Sequence, residues 1–222
     1  MAPERSLYFA YPTLVAVITA KSQERVNAMS AAWHTPLSFE PFLYGVAIAP
    51  SRFTHGLIEA SGEFAVNFLS FQDAHYITLL GRTSGAQVDK VRTFRLELQE
   101  PQVIQTPLLR RAYAAYECRV VQQITTGDHT LFVGEVVAAH ARPGAFSPEG
   151  PPQLPVADPA LYLGRDLYVS LRSLQPVSVT LQEAQRRWAR ERSSNPQAGE
   201  GKGPQPGGPK GRSNPGSTLG DR

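Results

Sequence analysis

Cysteine is nearly absent: Cys118 is the single one in 222 residues. An intrachain disulfide and a cysteine-based metal cluster are excluded, and a reducing, cytoplasmic setting is expected. Long apolar runs are missing too. The longest, residues 14–20, falls far short of the ~20 residues that a membrane-spanning helix needs. No basic segment followed by an apolar one opens the chain, so no signal peptide is expected. The sequence has no GxGxxG, Walker loop or HExxH. Its five histidines, at 34, 55, 75, 129 and 140, show no metal-ligand spacing.

Net charge is small, +3 from 22 basic and 19 acidic residues, with a pI near 9.1. A basic pI invites a nucleic-acid reading. The distribution of charge argues against it. Residues 1–181 carry 14 basic and 15 acidic side chains, and the excess lies in 182–222. The last 30 residues hold 8 Gly and 5 Pro with only Ala198 and Leu219 as aliphatics, a composition expected to stay disordered. The expected organisation is one domain over 1–181, a basic helix over 182–192 and a Gly/Pro tail over 193–222.

The body is rich in short apolar runs with β-branched and aromatic residues. Strands are predicted over 14–19, 44–48, 64–69, 116–124 and 130–138. The last two form a hairpin through 125–129. Helices are few: 54–61 with Thr54 as its cap and Gly62 as its stop, 72–80 ended by Gly81, and 181–192. Residues 143–159, with six prolines, read as an irregular excursion. Mainly β structure with a few helices favours an antiparallel barrel over a doubly wound sheet. Cys118, mid-strand and without a histidine beside it, reads as a buried hydrophobe.

Four segments place small or polar groups at strand ends. Asn27-Ala-Met-Ser-Ala-Ala-Trp33 lets a flat ligand approach the backbone. Ser51-Arg-Phe-Thr-His55 precedes a helix, where free N–H groups and a guanidinium favour an anion. Ser84-Gly-Ala-Gln-Val-Asp-Lys90 is a polar loop whose lysine could close over a phosphate. Gly127-Asp-His129 offers a histidine at a loop tip. Each has a plainer reading: a small-residue strand, a cap, a surface loop and a turn.

In order and spacing, these segments resemble the flavin reductase-like family of FMN-binding split β-barrels. Pro41-Phe-Leu-Tyr-Gly-Val-Ala-Ile48, Ser61-Gly-Glu-Phe-Ala-Val-Asn-Phe-Leu69, Tyr116-Glu-Cys118, Gly127 to Val136 and Tyr162-Leu-Gly164 with Tyr168 extend the likeness across residues 10–172. Glu40-Pro41 stands where many relatives carry two prolines, and Val91 where an aromatic is common.

The resemblance implies a homodimer with FMN, or FAD in its place, at the subunit interface. Asn27, Ala28, Met29, Ser30 and Ala31 would lie along the isoalloxazine edge. Ser51, Arg52, Thr54 and Lys90 would hold the phosphate. Asn67 would touch the ribityl chain or support the site, His129 would lie where a nicotinamide stacks, and Tyr168 would come from the other subunit. The implied activity is hydride transfer from NAD(P)H to flavin, in some relatives feeding a monooxygenase component. The alternatives are a flavoredoxin-like electron carrier and a non-enzymatic module with a basic tail. No metal and no membrane partner are expected.

Overall fold

A computed structural model describes residues 6–172 and Arg186. The first of these stretches falls within the compact unit Met1–Leu174. The predicted basic helix and tail lie outside the described residues, Arg186 apart.

Among the described residues, twelve strands and four α-helices follow one another. The strands are β1 (Thr13–Leu14), β2 (Ala16–Ser22), β3 (Arg25–Ala31), β4 (His34–Ser38), β5 (Leu43–Ile48), β6 (Glu63–Phe68), β7 (Leu98–Gln99), β8 (Leu108–Leu109), β9 (Ala114–Thr126), β10 (His129–Ala141), β11 (Leu161–Gly164) and β12 (Leu167–Val169). The helices are α1 (Phe53–Ser61), α2 (Ala74–Arg82), α3 (Lys90–Thr93) and α4 (Leu154–Ala157). Seven strands form one sheet in the order β3-β2-β6-β9-β10-β5-β4, with every pairing antiparallel. Its edges, β3 and β4, share no ladder, so the sheet is open. The chain turns between them at Trp33, whose carbonyl accepts a hydrogen bond from Ala47 N at 2.9 Å.

Strand β2 is buried on both faces, because successive side chains point opposite ways. Ala16, Ile18 and Ala20 join Val46, Ile58, Phe64 and Phe132 in the core beneath α1. Val15, Val17 and Ala28 pack with Ile77 and Leu80 of α2. The two helices thus cover opposite sides of the strand pair that carries the small residues.

Several boundaries differ from expectation. The strand expected over 14–19 splits, since Val15 N donates to Ala160 O and β1 pairs with β11. The hairpin strands are longer than predicted and the connection is only Gly127 and Asp128, so His129 opens β10 opposite Thr126. Gly62 closes α1 in the left-handed region at φ 69°, as expected. Thr54 is not its cap: Arg52 occupies that position without a side-chain bond, and the Thr54 hydroxyl is engaged elsewhere. Helix α2 runs through Gly81 to Arg82, because nothing at Gly81 forces a left-handed turn. Residues 143–159 are irregular apart from α4 and two isolated bridges, Phe146 to Pro152 and Ser70 to Pro159.

Cys118 is fully buried, and burial pushes its thiol pKa up, in keeping with a packing role. Gly134 lies beside it at a register shift in β10. A Cβ there would sit 2.7 Å from Phe64 Cζ and 2.8 Å from Cys118 Cβ. Gly134→Ala is expected to destabilise the fold by about 1–3 kcal/mol through overpacking, measured by thermal denaturation.

One buried carboxylate organises the loop before β8. Glu117 is inaccessible to solvent. Its Oε1 accepts from Gln102 N at 2.7 Å and from His140 Nε2 at 2.6 Å. Its Oε2 accepts from Val103 N at 2.8 Å and Ile104 N at 3.0 Å. Burial opposes its charge, but these donors outweigh burial and hold its pKa below the usual glutamate value.

Candidate functional site

The edge strand β3 forms one wall of a cavity of about 380 Å³. Asn27, Met29, Ser30 and Ala31 line it, with Ala32 and Trp33 beyond the strand end. Their small size brings ligand-sized space close to the backbone. Two side chains of this wall are fixed by long-range bonds. Asn27 Nδ2 donates to Thr54 Oγ1 at 2.8 Å, and Ser30 Oγ donates to Ile77 O at 2.6 Å. The Thr54 hydroxyl therefore ties α1 to β3, a role no local pattern reveals.

The end of β5 and the start of α1 form the second wall, through Ala47–Ala49 and residues 51–54. The first N–H groups of a helix have no intrahelical partner, and the dipole favours negative charge there. Arg52 adds an exposed guanidinium that makes no hydrogen bond or ion pair among the described residues. Ser51 stands beside it, also exposed.

The third wall is the end of α2 with the following loop, Leu80–Gly85 and Gln87, closing on Lys90. Lys90 is not the loop-borne point charge expected. It opens α3, is only 2% exposed, and donates to Ala28 O at 2.8 Å and Leu80 O at 2.7 Å. Burial, reinforced by Arg52, lowers its pKa to about 8. Arg82 is at the rim, paired with Asp166 through Nε at 2.9 Å and Nη2 at 3.0 Å.

Trp33 and His129 meet at the mouth with ring centroids 4.7 Å apart. His129 Nδ1 is 2.7 Å from Asp128 Oδ1, and that hydrogen bond lowers the Asp128 pKa. The charged groups lining the cavity are Arg52, Arg82 and Lys90; among the described residues no carboxylate lines it.

Most of the residues singled out by sequence converge here. Three do not line the cavity. Ala28 points its side chain into the core beside α2 and contributes only its carbonyl to Lys90. Asn67 is an interior brace: its Nδ2 donates to Val17 O and Thr19 Oγ1, while its Oδ1 accepts from Leu109 N at 2.7 Å. Fully buried, it holds β2 and β8 together and does not reach the cavity, which leaves support as its role of the two expected. Tyr168 lies on β12 against Tyr162, and its hydroxyl accepts from Thr78. Sequence reasoning passed over Arg82 and Ala47–Ala49. The alanines carry no chemical signal, and Arg82 looks like an ordinary helix-end cation.

The fold is an open antiparallel sheet beside a cavity whose charged lining residues, among those described, are cationic. The comparisons identify its family. Residues 8–170 match the family described as flavin reductase like domain, and the chain belongs to this family. An uncharacterized protein of Archaeoglobus fulgidus is 39% identical over 148 residues, covering 67% of this chain and 82% of that one. The structure of an FMN-binding protein from Thermus thermophilus with bound 1-cyclohex-2-enone superposes with a TM-score of 0.73 at 36% identity, covering 80% of this chain and 97% of that one. Flavoredoxin from Methanosarcina acetivorans superposes with a TM-score of 0.71 at 25% identity, covering 80% and 94%.

Proposed function

We propose that the cavity binds FMN and that the protein reduces it with NADH or NADPH. The observation that carries this reading is the pairing of a small-residue strand with a lining that carries Arg52, Arg82 and Lys90 and, among the described residues, no carboxylate. The donor set suits a monophosphate: the uncommitted Arg52 guanidinium, the Ser51 hydroxyl, the start of α1, and Lys90 beneath them. FMN is preferred to FAD because the site ends in one phosphate clamp.

Bound FMN supplies the hydride-accepting chemistry; the protein supplies position and electrostatics. In this reading Arg52 and Lys90 hold the phosphate end. The β3 backbone at residues 29–31 presents N–H and C=O groups to the polar ring edge. Trp33 and His129 frame the mouth where a nicotinamide stacks, and Asp128 fixes the orientation of the imidazole. The nicotinamide needs no doubly wound cleft, since its contact is transient.

Relatives lend support. The NADH-dependent FMN reductase of Streptomyces nodosus is 30% identical over 140 residues. The reductase component of a FADH(2)-dependent resorcinol hydroxylase from Rhizobium is 32% identical over 149 residues, which makes a monooxygenase a reasonable consumer of the reduced flavin. A homodimer belongs to the same reading. Trp33, Leu37 and the almost fully exposed Phe39 give edge strand β4 an apolar margin for a second copy, which could also bring its Tyr168 near the site. A cytoplasmic setting, where both nicotinamides are at hand, fits this activity.

The test is an anaerobic titration of the FMN-reconstituted protein with NADH and with NADPH, followed in the visible spectrum. Bleaching of bound flavin by either nucleotide is expected. Failure to retain FMN would sink the proposal, whereas bound flavin that neither nucleotide bleaches would make the protein an electron carrier.

A further inference from the structure

Lys90 is a buried cation held by two carbonyl groups, with a second cation, Arg52, close enough to lower its pKa. Its ammonium has three N–H bonds. Two go to Ala28 O on β3 and Leu80 O on α2, and the third has no protein partner among the described residues. The charged groups on the surrounding elements give it no counter-charge. At the cap of α1, Arg52 is uncommitted, and on that helix Glu59 pairs with His55. On α2, Arg82 is paired with Asp166. On β3, Arg25 stacks on Phe53 and reaches Gly85 O. At the mouth His129 pairs with Asp128. On its own helix, Asp89 accepts from Arg92 N as the cap.

We propose that Lys90 is a positioning residue whose remaining valence links ligand to proton: a phosphate dianion seated beside Arg52 binds together with one proton held at Lys90 Nζ. The inference rests on the FMN reading of the cavity and specifies the charge state in which the site takes its ligand.

The chemistry follows from counting hydrogens. A neutral amine has two N–H bonds, enough for Ala28 O and Leu80 O, so the join between β3 and α2 survives deprotonation. What changes is the third valence. Protonated, it is an N–H donor for an anion in the cavity; neutral, it is a lone pair that repels one. Burial and Arg52 bring the lysine pKa to about 8, so the choice falls near neutral pH. A dianion close by favours the charged form and raises that value. Affinity for the dianion must then fall as pH rises through the value of the empty site. A phosphate monoester loses its second proton near pH 6, so its own titration is complete below this range.

The experiment is isothermal titration calorimetry of the full chain with FMN and with riboflavin, which lacks the phosphate. It runs from pH 7 to 9.5 in buffers of different ionisation enthalpy. For FMN the Kd is expected to rise at least tenfold, by roughly one decade per pH unit above 8, with uptake of about half a proton near pH 8. Riboflavin is expected to show neither effect. Lys90→Met, which keeps the length without the charge, is expected to flatten the FMN profile. An FMN profile that is flat, or that riboflavin shares, would overturn the linkage even if the variant did not fold. Absence of FMN binding at every pH is a different result, and removes the flavin reading along with the inference.

Discussion

Glu117→Ala is expected to lower the melting temperature by roughly 10 °C, a loss of about 3–5 kcal/mol. The carboxylate is inaccessible and accepts four hydrogen bonds, three of them from consecutive backbone N–H groups at Gln102, Val103 and Ile104. Alanine would leave those donors and His140 without their acceptor. Unsatisfied buried donors are costlier than the net value of a made bond, so the loss exceeds that of a typical surface ion pair. Thermal and urea denaturation of the variant would measure it. A change under 1 kcal/mol would mean that the 102–104 loop rearranges freely, against the geometry seen here.

The same group fixes the sign of an acid response. Its pKa is depressed in the folded state. It therefore contributes stability fully above the unfolded glutamate value, and the contribution is lost as pH falls through the lower folded value. The wild-type melting temperature should decline below about pH 4.3 more steeply than that of Glu117→Gln, which cannot titrate.

Arg52→Ala is expected to weaken FMN binding about 5- to 150-fold, which corresponds to about 1–3 kcal/mol for a bond to a charged group. Riboflavin affinity and thermal stability should stay near wild type. The selectivity follows from the position of the side chain. Arg52 caps α1 only through its backbone, its N–H donating to Ala49 O and its carbonyl accepting from His55 N. Its exposed guanidinium holds nothing else in place. Equal losses for FMN and riboflavin would remove it from the phosphate end. Lys90 differs in kind, because it also joins two elements and its effect moves with pH.

What the sequence disclosed depended on how locally each feature is determined. The runs at 44–48 and 64–69 announce strands through β-branched and aromatic residues, and Gly62 announces the end of α1 through a conformation that other residues avoid. The four site segments were legible as patches of small and polar residues. Their meeting in one cavity came from the family resemblance, not from any pattern in a single patch. The misreadings share a cause. Thr54 looks like a cap until Asn27, 27 residues earlier, takes its hydroxyl. Lys90 looks solvated until Ala28, 62 residues earlier, supplies a carbonyl. Asn67 is spent on Val17 and Leu109. In each case a group distant in sequence decides what a polar side chain does, and hydropathy carries no record of that pairing. Glu117 was quoted only as part of a motif, for the same reason.

The cavity is lined by residues within 27–33, 47–54, 80–90 and by 129, so about 100 residues of chain separate the two ends of its lining, and the lining is complete only when both are in register. Contacts of that sequence separation are late events in folding, since loop-closure entropy comes before their reward. A molecule that fills the cavity would touch both ends of this span at once. Full occupancy would therefore report that residues 27 and 129 have been brought into register.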